Sequence, residues 1–428
     1  MHRKTIPRDF SIRHGGTKII FSTFGVDLRL SLRNIIRHRR RSIIAIMAIG
    51  FGVVSLMLTA GYIEWTFWST REESTTNQLG HIQISVPGYH ANAQSDPFAY
   101  LLPASSPALT VLEKLPDVRS VSPRLAFNGL VSHGENTLSF IGEGIDPDKD
   151  PSSTNILVIE GKLLSSQDPK GIVLGAGLAA NLGVKTGDSI VLLTNTASGG
   201  MNAVEGTVRG LISTSMKDFD DNILRISIGL ARELLRTQGA HLWVITLQQT
   251  ELTDRAMASL KREPALRNYD VVPWTQLADY YNKTVELFSR QMSVVKIIIA
   301  VIIVLSISNT MTMSVMERTV EIGTAMALGV RRQRILTLFL IEGGLLGAIA
   351  GLIGVLLGYL GAQAISAIGI PMPPAPGMSR GFVASIIITP GIVMDALLLA
   401  ILTTLVASIY PAWRASRLVI VDALRHNR

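Results

Sequence analysis

The stretch SIIAIMAIGFGVVSLMLTAGYI, residues 42–63, contains 22 residues and no charged side chain. A helix needs about 20 apolar residues to cross the hydrocarbon core of a bilayer, so this stretch is long enough to span a membrane. Three further apolar stretches lie near the end of the chain, at 297–316, 335–370 and 382–411. The sequence therefore predicts four transmembrane helices, one before and three after a long polar insert at 64–291.

These stretches and their polar neighbours divide the chain into consecutive segments. We predict an α-helical membrane protein with four transmembrane helices, one plus three, and a large α+β extracytoplasmic domain. The predicted boundaries are a basic amphipathic helix at 1–41, transmembrane helix 1 at 42–63, the outer domain at 64–291, transmembrane helix 2 at 292–316, a cytoplasmic loop at 317–334, transmembrane helix 3 at 335–368, an outer loop at 369–388, transmembrane helix 4 at 389–411 and a tail at 412–428.

The distribution of charge predicts which side of the membrane each segment occupies. Residues 1–41 carry 11 Lys and Arg against two acids, a net charge of +9. The insert carries 19 Lys and Arg against 25 Asp and Glu, a net charge of −6. Because basic residues beside short membrane segments remain in the cytoplasm, we expect both termini and the 317–334 loop inside and the insert outside.

The segment before the first span has the pattern of an amphipathic helix. Apolar residues recur at helical spacing among arginines, which favours a helix on the cytoplasmic membrane surface: Leu28, Leu32, Ile35 and Ile36. The basic run at 37–41 adjoins the span and contains no aromatic side chain. An anchor on anionic lipid is therefore favoured over a nucleic-acid site, and we expect no nucleic-acid partner.

The insert alternates strand and helix signals. Alternation at 81–86 predicts a strand, and Ser-Gly-Gly at 198–200 suits a hairpin tip. Further strands are predicted at 118–127, 138–145, 189–194, 206–212, 243–247 and 270–272, and helices at 106–115, 177–182, 229–238, 253–262 and 273–290. Because the last elements resemble the first, we predict two α+β subdomains, with 147–238 inserted into the other.

The chain lacks the sequence motifs of several common catalytic sites. It has no G-x-x-x-x-G-K-[ST] or H-E-x-x-H motif and no cysteine. The acidic residues Asp218, Asp220 and Asp221 lack the spacing and the closing Glu of an EF-hand, so a solvated loop is favoured over a cation site. We expect no catalytic residue, no metal site and no cofactor bound by this chain.

The most specific segment follows the second span and reads M-E-R-T-V-E-I-G-T-A-M-A-L-G-V-R-R, residues 316–332. It resembles the coupling segment of FtsX/MacB-type permeases, an ABC-transporter family that includes lipoprotein-releasing permeases, macrolide exporters and cell-division permeases. The family pattern E-R-x-x-E-I-G-x-x-x-A-x-G is matched in full. The resemblance implies a short helix that docks on an ATPase, with charged groups projecting outward and glycines allowing close approach. The implied coupling residues are Glu317, Arg318, Glu321, Gly323, Ala327, Gly329 and Arg331.

The resemblance extends over most of the chain. The sequence at 410–425 is similar to the family's C-terminus except that Ile420 stands where proline is usual, and the insert carries family-like stretches at 144–147, 171–175 and 182–188. The insert's size favours the lipoprotein-releasing and macrolide-exporter branches. The family implies a multi-pass protein of the inner (cytoplasmic) membrane, working as two copies or with a paralogue, beside ATPase subunits that hold ATP and Mg²⁺.

The resemblance also implies a function. As a permease subunit, the chain would couple ATP hydrolysis by its partner to movement of the periplasmic domain through long helices at 62–75 and 273–316. Release of a lipoprotein is the expected task, with a carrier, adaptor or lipoprotein as the periplasmic partner. The alternatives are efflux of a small amphiphile and mechanical regulation of a periplasmic enzyme without transport.

Residues within the predicted spans add further candidates. Four of them form an apolar surface on the first span, which either contacts a substrate acyl chain in a cleft or faces ordinary lipid and neighbouring helices: Phe51, Val54, Met57 and Leu58. Regularly spaced glycines favour close helix packing, within one subunit or at a dimer seam: Gly343, Gly347, Gly351, Gly354 and Gly358.

Polar residues in the spans have several open interpretations. For Glu342 and Asp395, snorkelling or capping at the helix ends is favoured over a proton relay. Hydrogen bonding between helices is expected for Ser306, Ser308, Asn309 and Thr310.

Overall fold

The computed structural model describes residues 28–419 except 38, 94, 95, 153–155, 215, 375, 376, 379 and 380. The predictions for 1–27 and for 420–428, including Ile420, lie outside the described residues. The chain divides into two compact units, which are considered separately. The helical unit comprises Met1–Trp65, Phe288–Gly369 and Ser385–Arg428, and the sheet unit comprises Thr66–Leu287 and Ile370–Ala384.

The described residues of the two units include four long helices and a series of shorter ones. The helices with described bounds are α1 (28–37), α2 (Arg39–Glu73), α3 (Tyr89–Asn92), α4 (Pro107–Leu112), α5 (Ala176–Leu182), α6 (Lys217–Asp220), α7 (Ile228–Leu235), α8 (Thr253–Leu260), α9 (Trp274–Leu277), α10 (Asp279–Glu317), α11 (Thr319–Ala327), α12 (Arg332–Ile368) and α13 (Pro390–Ser416). A π-helical turn at Ser74–Leu79 follows α2. Helices α2, α10, α12 and α13 are long and apolar enough to cross a membrane, which confirms the predicted number and order of spans.

The sheet unit is built on one mixed sheet. Its strands are β1 (Ile82–Ser85), β2 (Val118–His133), β3 (Asn136–Ile145), β4 (Leu157–Gly161), β5 (Gly171–Gly175), β6 (Ser189–Asn195), β7 (Met201–Ser213), β8 (Ile223–Ser227), β9 (Leu242–Leu247) and β10 (Asp270–Pro273), and a separate two-stranded sheet pairs β11 (Ile370–Met372) with β12 (Phe382–Ala384). The order is β10-β1-β9-β2-β3-β8-β5-β7-β4, and β6 pairs with β2 and β7. The pairs β3/β8 and β5/β7 are parallel.

The predicted division of the insert into two subdomains is not confirmed. Strand β2 pairs with β9 through its first half and with β3 and β6 through its second half, so one sheet runs through both parts. The side chains do form separate apolar clusters, one around Ile84 and Trp243 and another around Leu174 and Leu234. The chain thus returns to its first strands, as the repeated pattern indicated, but without closing off a second sheet.

Glycines of α12 make close helix contacts within one chain. A β-carbon at Gly343 or Gly347 would overlap the side chain of Ser408 or Thr404 on α13. Further along α12, Gly358 lies against Met57 of α2. The glycine spacing therefore serves packing inside the subunit, one of the two alternatives that the sequence left open.

Several elements differ from their predictions. Strands β4, β5, β8, β11 and β12 were not predicted. The helix predicted at 273–290 is interrupted because Pro273 ends β10 and Ala278, with φ −83° and ψ 64°, separates α9 from α10. β8 was missed because all five of its residues are buried, including Arg225, so it shows no alternation of polar and apolar residues. β11 and β12 are three residues each, too short for a periodic signal.

Candidate functional site

The segment at 316–332 forms a short helix with one packed face and one exposed face. Helix α10 ends at Glu317, Arg318 leaves the regular helical path, and α11 follows. The packed face of α11 consists of Ile322, Gly323 and Met326. The exposed face consists of Glu321, Thr324, Ala327 and the adjoining Leu328, which is 83% exposed. The expectation that Gly323 lets another protein approach is wrong, because Gly323 is buried within the helical unit.

Gly329 terminates α11 in a Schellman turn. Its N–H donates to the Met326 carbonyl at 3.0 Å, and the Val330 N–H donates to the Ala325 carbonyl at 3.1 Å. Gly329 has φ +93°, a conformation that strongly favours glycine. The glycine of the motif is therefore required for the turn from α11 towards α12.

Arg318 is turned into the helical unit. Its guanidinium donates to Glu342 Oε2 at 3.1 Å and lies 5.3 Å from the centre of the Phe339 ring. Arg318 is 9% exposed and Glu342 is 5% exposed. The prediction that Arg318 projects towards a partner is therefore wrong, and so is the prediction that Glu342 snorkels or caps a helix end. The pair joins the start of α11 to α12, and removing one charge would leave the other buried.

Two other ion pairs, which are more exposed than the Arg318–Glu342 pair, join the coupling segment to the N-terminal helices. Arg41 of α2 contacts Glu317, and Arg37 of α1 lies 3.2 Å from Glu321. Exposed pairs of this kind contribute up to about 1 kcal/mol each, so they orient the segment more than they stabilise it. Arg331, which directly precedes α12, is exposed.

Helix α1 only partly matches the predicted amphipathic pattern. Leu28, Leu32 and Ile36 are exposed, as expected for a helix that contacts a membrane surface. Ile35 is instead buried in the core of the helical unit, and the Ser42 hydroxyl donates to its carbonyl at 2.9 Å. Ile35 therefore holds α1 against the helices, while its neighbours remain available to lipid.

Within the sheet unit, two buried arginines hold the turn that follows α2. Arg124 of β2 donates to the Gln78 carbonyl, and Arg225 of β8 donates to the Asn77 carbonyl at 3.1 Å. Both carbonyls belong to the π-helical turn, whose last groups need donors from outside the helix. We name this arrangement the arginine clamp.

Two carboxylates, buried Asp150 and half-buried Glu143, fix the two arginines of the clamp. Arg225 donates to Glu143 at 2.9 Å, and Arg124 donates to Asp150 at 2.9 Å. Burial alone would raise the pKa of Asp150, but the Arg124 charge and a hydrogen bond from Ser152 lower it to about 2. Sequence reasoning missed the clamp, because Arg225 and Glu143 become neighbours only through the pairing of β3 with β8.

The residues proposed for a substrate cleft separate in the structure. Phe51 is 75% exposed, and Val54 and Leu58 are half-buried. Met57 is fully buried against Gly358, so its predicted place on the apolar surface is wrong. The cleft assignment of the other three residues stays a prediction.

The other polar residues of the spans are placed mostly by local contacts. Asp395 of α13 forms an ion pair with Lys296 of α10 at 2.7 Å, a contact that the sequence did not predict. Thr310 donates to the Ser306 carbonyl and Thr312 to the Ser308 carbonyl, so these hydroxyls bond within α10 and not between helices. Asn309 is exposed.

The acidic cluster of the sheet unit is partly buried and not a solvated loop. Asp220 is buried and accepts hydrogen bonds from the Ser213 hydroxyl and from the N–H and hydroxyl of Thr214 at 2.7–2.8 Å. Asp221 pairs with Lys217 at 2.7 Å. Among the described residues, no group of three or more His, Cys, Asp or Glu side chains is placed to hold a metal ion.

Two family models match this chain. The MacB-like periplasmic core domain matches residues 42–263, slightly more than half of the chain. The C-terminal part of FtsX-like permeases matches residues 293–420, which include the coupling segment, α12 and α13.

Curated relatives of the chain carry permease names. An uncharacterised ABC transporter permease of Methanocaldococcus jannaschii is 26% identical over 275 residues, which cover 62% of this chain and 65% of that relative. The lipoprotein-releasing system transmembrane protein LolC of Xylella fastidiosa is 25% identical over 411 residues, covering 90% of this chain and 94% of LolC. The macrolide export ATP-binding/permease protein MacB of Escherichia coli is 24% identical over 380 residues, covering 83% of this chain and 55% of MacB.

Proposed function

This chain belongs to the FtsX-like permeases that carry a MacB-like periplasmic core domain, and we propose that it is the permease subunit of an ATP-driven ABC transporter. ATP and Mg²⁺ are held by a separate ATPase subunit, and this chain converts the movement of that ATPase into movement of its periplasmic domain. It lies in the inner membrane with both termini in the cytoplasm. It works with a second copy of itself or with a paralogue.

The exposed face of α11 is the observation that carries this proposal. Leu328 offers an exposed apolar side chain that can enter a groove on an ATPase, and Glu321 adds a carboxylate to the same exposed face. Well-packed apolar side chains surrounded by charge are typical anchors of protein interfaces. The buried Arg318–Glu342 pair would transmit a force on α11 to α12, because separating the two charges would break a buried ion pair.

The arginine clamp supports the proposed transmission of movement to the periplasmic domain. The turn that follows α2 is bonded by Arg124 and Arg225 to the middle of the sheet, and both guanidinium groups are fixed by carboxylates. A displacement of this turn would therefore reach β2 and β8 through charge-assisted hydrogen bonds, which are stronger than neutral ones.

Lipoprotein release is the substrate assignment that we favour. The likeness to LolC covers nearly the whole of both chains, whereas the likeness to MacB covers 55% of that protein. The exposed Phe51 and the half-buried Val54 and Leu58 offer an apolar surface for an acyl chain. Efflux of a small amphiphile and regulation of a periplasmic enzyme without transport are the alternatives.

Reconstitution with the ABC ATPase that co-purifies with this chain tests the proposal. We expect Leu328→Asp, and separately Glu317→Lys with Glu321→Lys, to abolish the effect of the permease on the ATPase rate and the ATP-dependent release of a lipidated protein from proteoliposomes. Because Leu328 is almost fully exposed, its replacement should leave the thermal stability of the chain unchanged.

The matched control is Val383→Asp, which introduces the same charge at an exposed apolar position of β12. Unchanged coupling in both coupling variants would contradict the docking role of α11. Normal coupling of the unaltered chain without release of any lipidated protein would instead favour the regulator.

A further inference from the structure

An open pocket of about 450 Å³ lies in the helical unit, where α10 and α13 end and α11 begins. It is separate from the exposed face of α11 and contains none of the coupling residues named above. Its described lining is Thr312, Val315, Met316, Thr319, Pro411, Trp413, Arg414, Arg417, Leu418 and Val419.

The lining combines an apolar wall with two positive charges. Arg414 and Arg417 are exposed, and the Arg417 guanidinium lies 4.6 Å from the centre of the Trp413 ring. Among the described lining residues there is no acid. Apart from Thr312 and Thr319, the remaining lining residues are apolar and include Val315, Met316 and Leu418. The pocket therefore suits a ligand with an anionic group at one end and a hydrocarbon chain at the other.

The threonine hydroxyls of the pocket already donate to backbone carbonyls, so they are not donors for the anionic group of a ligand. The Thr312 hydroxyl donates to the Ser308 carbonyl at 2.7 Å, and the Thr319 hydroxyl donates to the Val315 and Met316 carbonyls at 3.0 and 2.8 Å. Both hydroxyls therefore donate to backbone carbonyls of α10. An anion in this pocket would thus be held by Arg414 and Arg417.

The length of α13 places the arginines at the depth of lipid headgroups. A helix of 27 residues is about 40 Å long, whereas the hydrocarbon core of a bilayer is about 30 Å thick. The last turns of α13 therefore reach the headgroup region, where Trp is enriched and Arg pairs with lipid phosphates. Trp413 and Arg414 lie in these turns.

We propose that this pocket binds an anionic phospholipid from the leaflet at that end of the spans. The lipid phosphate lies between Arg414 and Arg417, and an acyl chain packs on Val315, Met316 and Leu418. Because the pocket includes Thr319, the first residue of α11, the bound lipid also supports the base of the coupling helix. The proposal concerns a structural lipid and is independent of which substrate the transporter moves.

Photo-crosslinking of the full-length chain in nanodiscs tests this site. The probe is a phosphatidylglycerol with a photoactivatable acyl chain, compared with the same chain on phosphatidylcholine. We expect adducts on residues 312–319 and 410–419 with the anionic lipid alone. Arg414→Gln should reduce capture about five-fold, and Arg414→Gln with Arg417→Gln about 30-fold, because each arginine contributes roughly a factor of five near anionic lipid.

The control is the pair Arg331→Gln and Arg332→Gln, which removes the same charge from exposed residues outside the pocket. Arg414→Lys with Arg417→Lys should retain most of the capture and shows that the variants fold. Equal losses in the pocket and control variants, equal capture of phosphatidylcholine, or adducts outside both segments would overturn the proposal. Displacement of the lipid by excess glycerol phosphate would also overturn it, since the pocket would then be a site for a free anion.

Discussion

At the scale of single residues, the Arg318–Glu342 ion pair shows that one charged residue of the coupling motif faces the helical unit and not a partner protein. Arg318 is a charged residue of the motif, and the sequence predicted that it would project from a short helix towards a partner. Its partner Glu342 lies 24 positions away on α12, and the two bury one another with Phe339 packed alongside. The arginine of the motif therefore maintains the position of the helix, while docking is left to its exposed neighbours.

Replacing Glu342 by Gln should destabilise the helical unit more than the loss of one hydrogen bond would. The variant removes the buried counter-ion of Arg318 and leaves beside that charge only Glu321, which lies 3.5 Å away and is exposed. Breaking a buried pair in this way costs about 3–5 kcal/mol. Thermal unfolding of the purified chain in detergent measures the change.

Asp279→Asn is the control for this prediction, because Asp279 belongs to an exposed pair with Lys283 and its loss should cost under about 0.5 kcal/mol. The combination Arg318→Met with Glu342→Leu should recover most of the stability. Equal stability of the Glu342→Gln and Asp279→Asn variants would show that the pair is not buried in the membrane protein.

At the scale of elements, contacts between helices and between strands determine which residues of one type are closely packed and which are not. Gly343 and Gly347 are packed against α13, whereas Gly361 of the same helix has only Leu58 within ordinary contact distance, at 3.9 Å from a β-carbon. Histidines divide in the same way. His81 and His241 are buried in the sheet unit, but His133 is only half-buried.

The glycine contrast predicts opposite outcomes for two alanine substitutions on α12. Gly347→Ala should destabilise the chain by about 1–3 kcal/mol, because its β-carbon meets Thr404 and lies 3.0 Å from the Ala400 carbonyl oxygen. Gly361→Ala should be neutral or stabilising by up to about 1 kcal/mol, since alanine favours the helix and nothing obstructs it. Thermal unfolding of both variants in one detergent compares them. A smaller loss at Gly347 than at Gly361 would contradict the packing of α12 on α13.

The buried histidines predict a loss of stability in acid. Burial lowers the pKa of His81 and of His241 to about 4, and each ring uses Nδ1 to accept a backbone N–H, from Leu247 and from Ala126. The unfolded chain binds these protons near pH 6.5, so the stabilisation is complete above that pH and is lost as the pH falls towards 4. The loss amounts to roughly 3 kcal/mol for each histidine and is measured by denaturant unfolding across this range.

Asparagine at these two positions should flatten the pH dependence, because its oxygen can accept the same N–H without titrating. His133→Gln, at a histidine that is only half-buried, is the control and should leave the pH dependence intact. Unchanged acid sensitivity in both asparagine variants would assign the transition to other groups.

At the scale of the whole molecule, the chain alternates between the helical unit and the sheet unit. The helical unit contains four long apolar helices, and the sheet unit contains a ten-stranded sheet whose sequence is acidic. Positive charge beside the spans predicts that the sheet unit is outside and that the coupling segment is inside. This orientation is also the one that the proposed function requires.

Single cysteines test this orientation cleanly, because the chain has none. Ser198→Cys lies at the exposed hairpin tip between β6 and β7, and we expect a membrane-impermeant maleimide to label it in intact cells. Arg331→Cys lies after the coupling helix and should be labelled only after the membrane is permeabilised. The reverse pattern would place the coupling segment outside and would exclude docking of a cytoplasmic ATPase.

The number of spans and most strands of the sheet could be predicted from the sequence because their signals are local, whereas the coupling helix was predicted from the resemblance to a family motif. An apolar run of sufficient length must leave water, and Gly329 marks the end of α11 wherever the helix lies. The hairpin at 198–200 was likewise predictable, and β6 and β7 pair across it. These features depend on residues that are neighbours along the chain.

Only the tertiary structure decided which side chains meet across elements. Met57 and Phe51 are equally apolar, yet one is buried against a glycine and the other is exposed, because the facing helix determines which side of α2 is covered. Arg225 lies 82 positions from Glu143, and no local pattern identifies that pair. Burial of a charge depends on a partner elsewhere in the chain, whereas the span of an apolar helix depends on its own length, and this difference separates what sequence alone could determine here from what it could not.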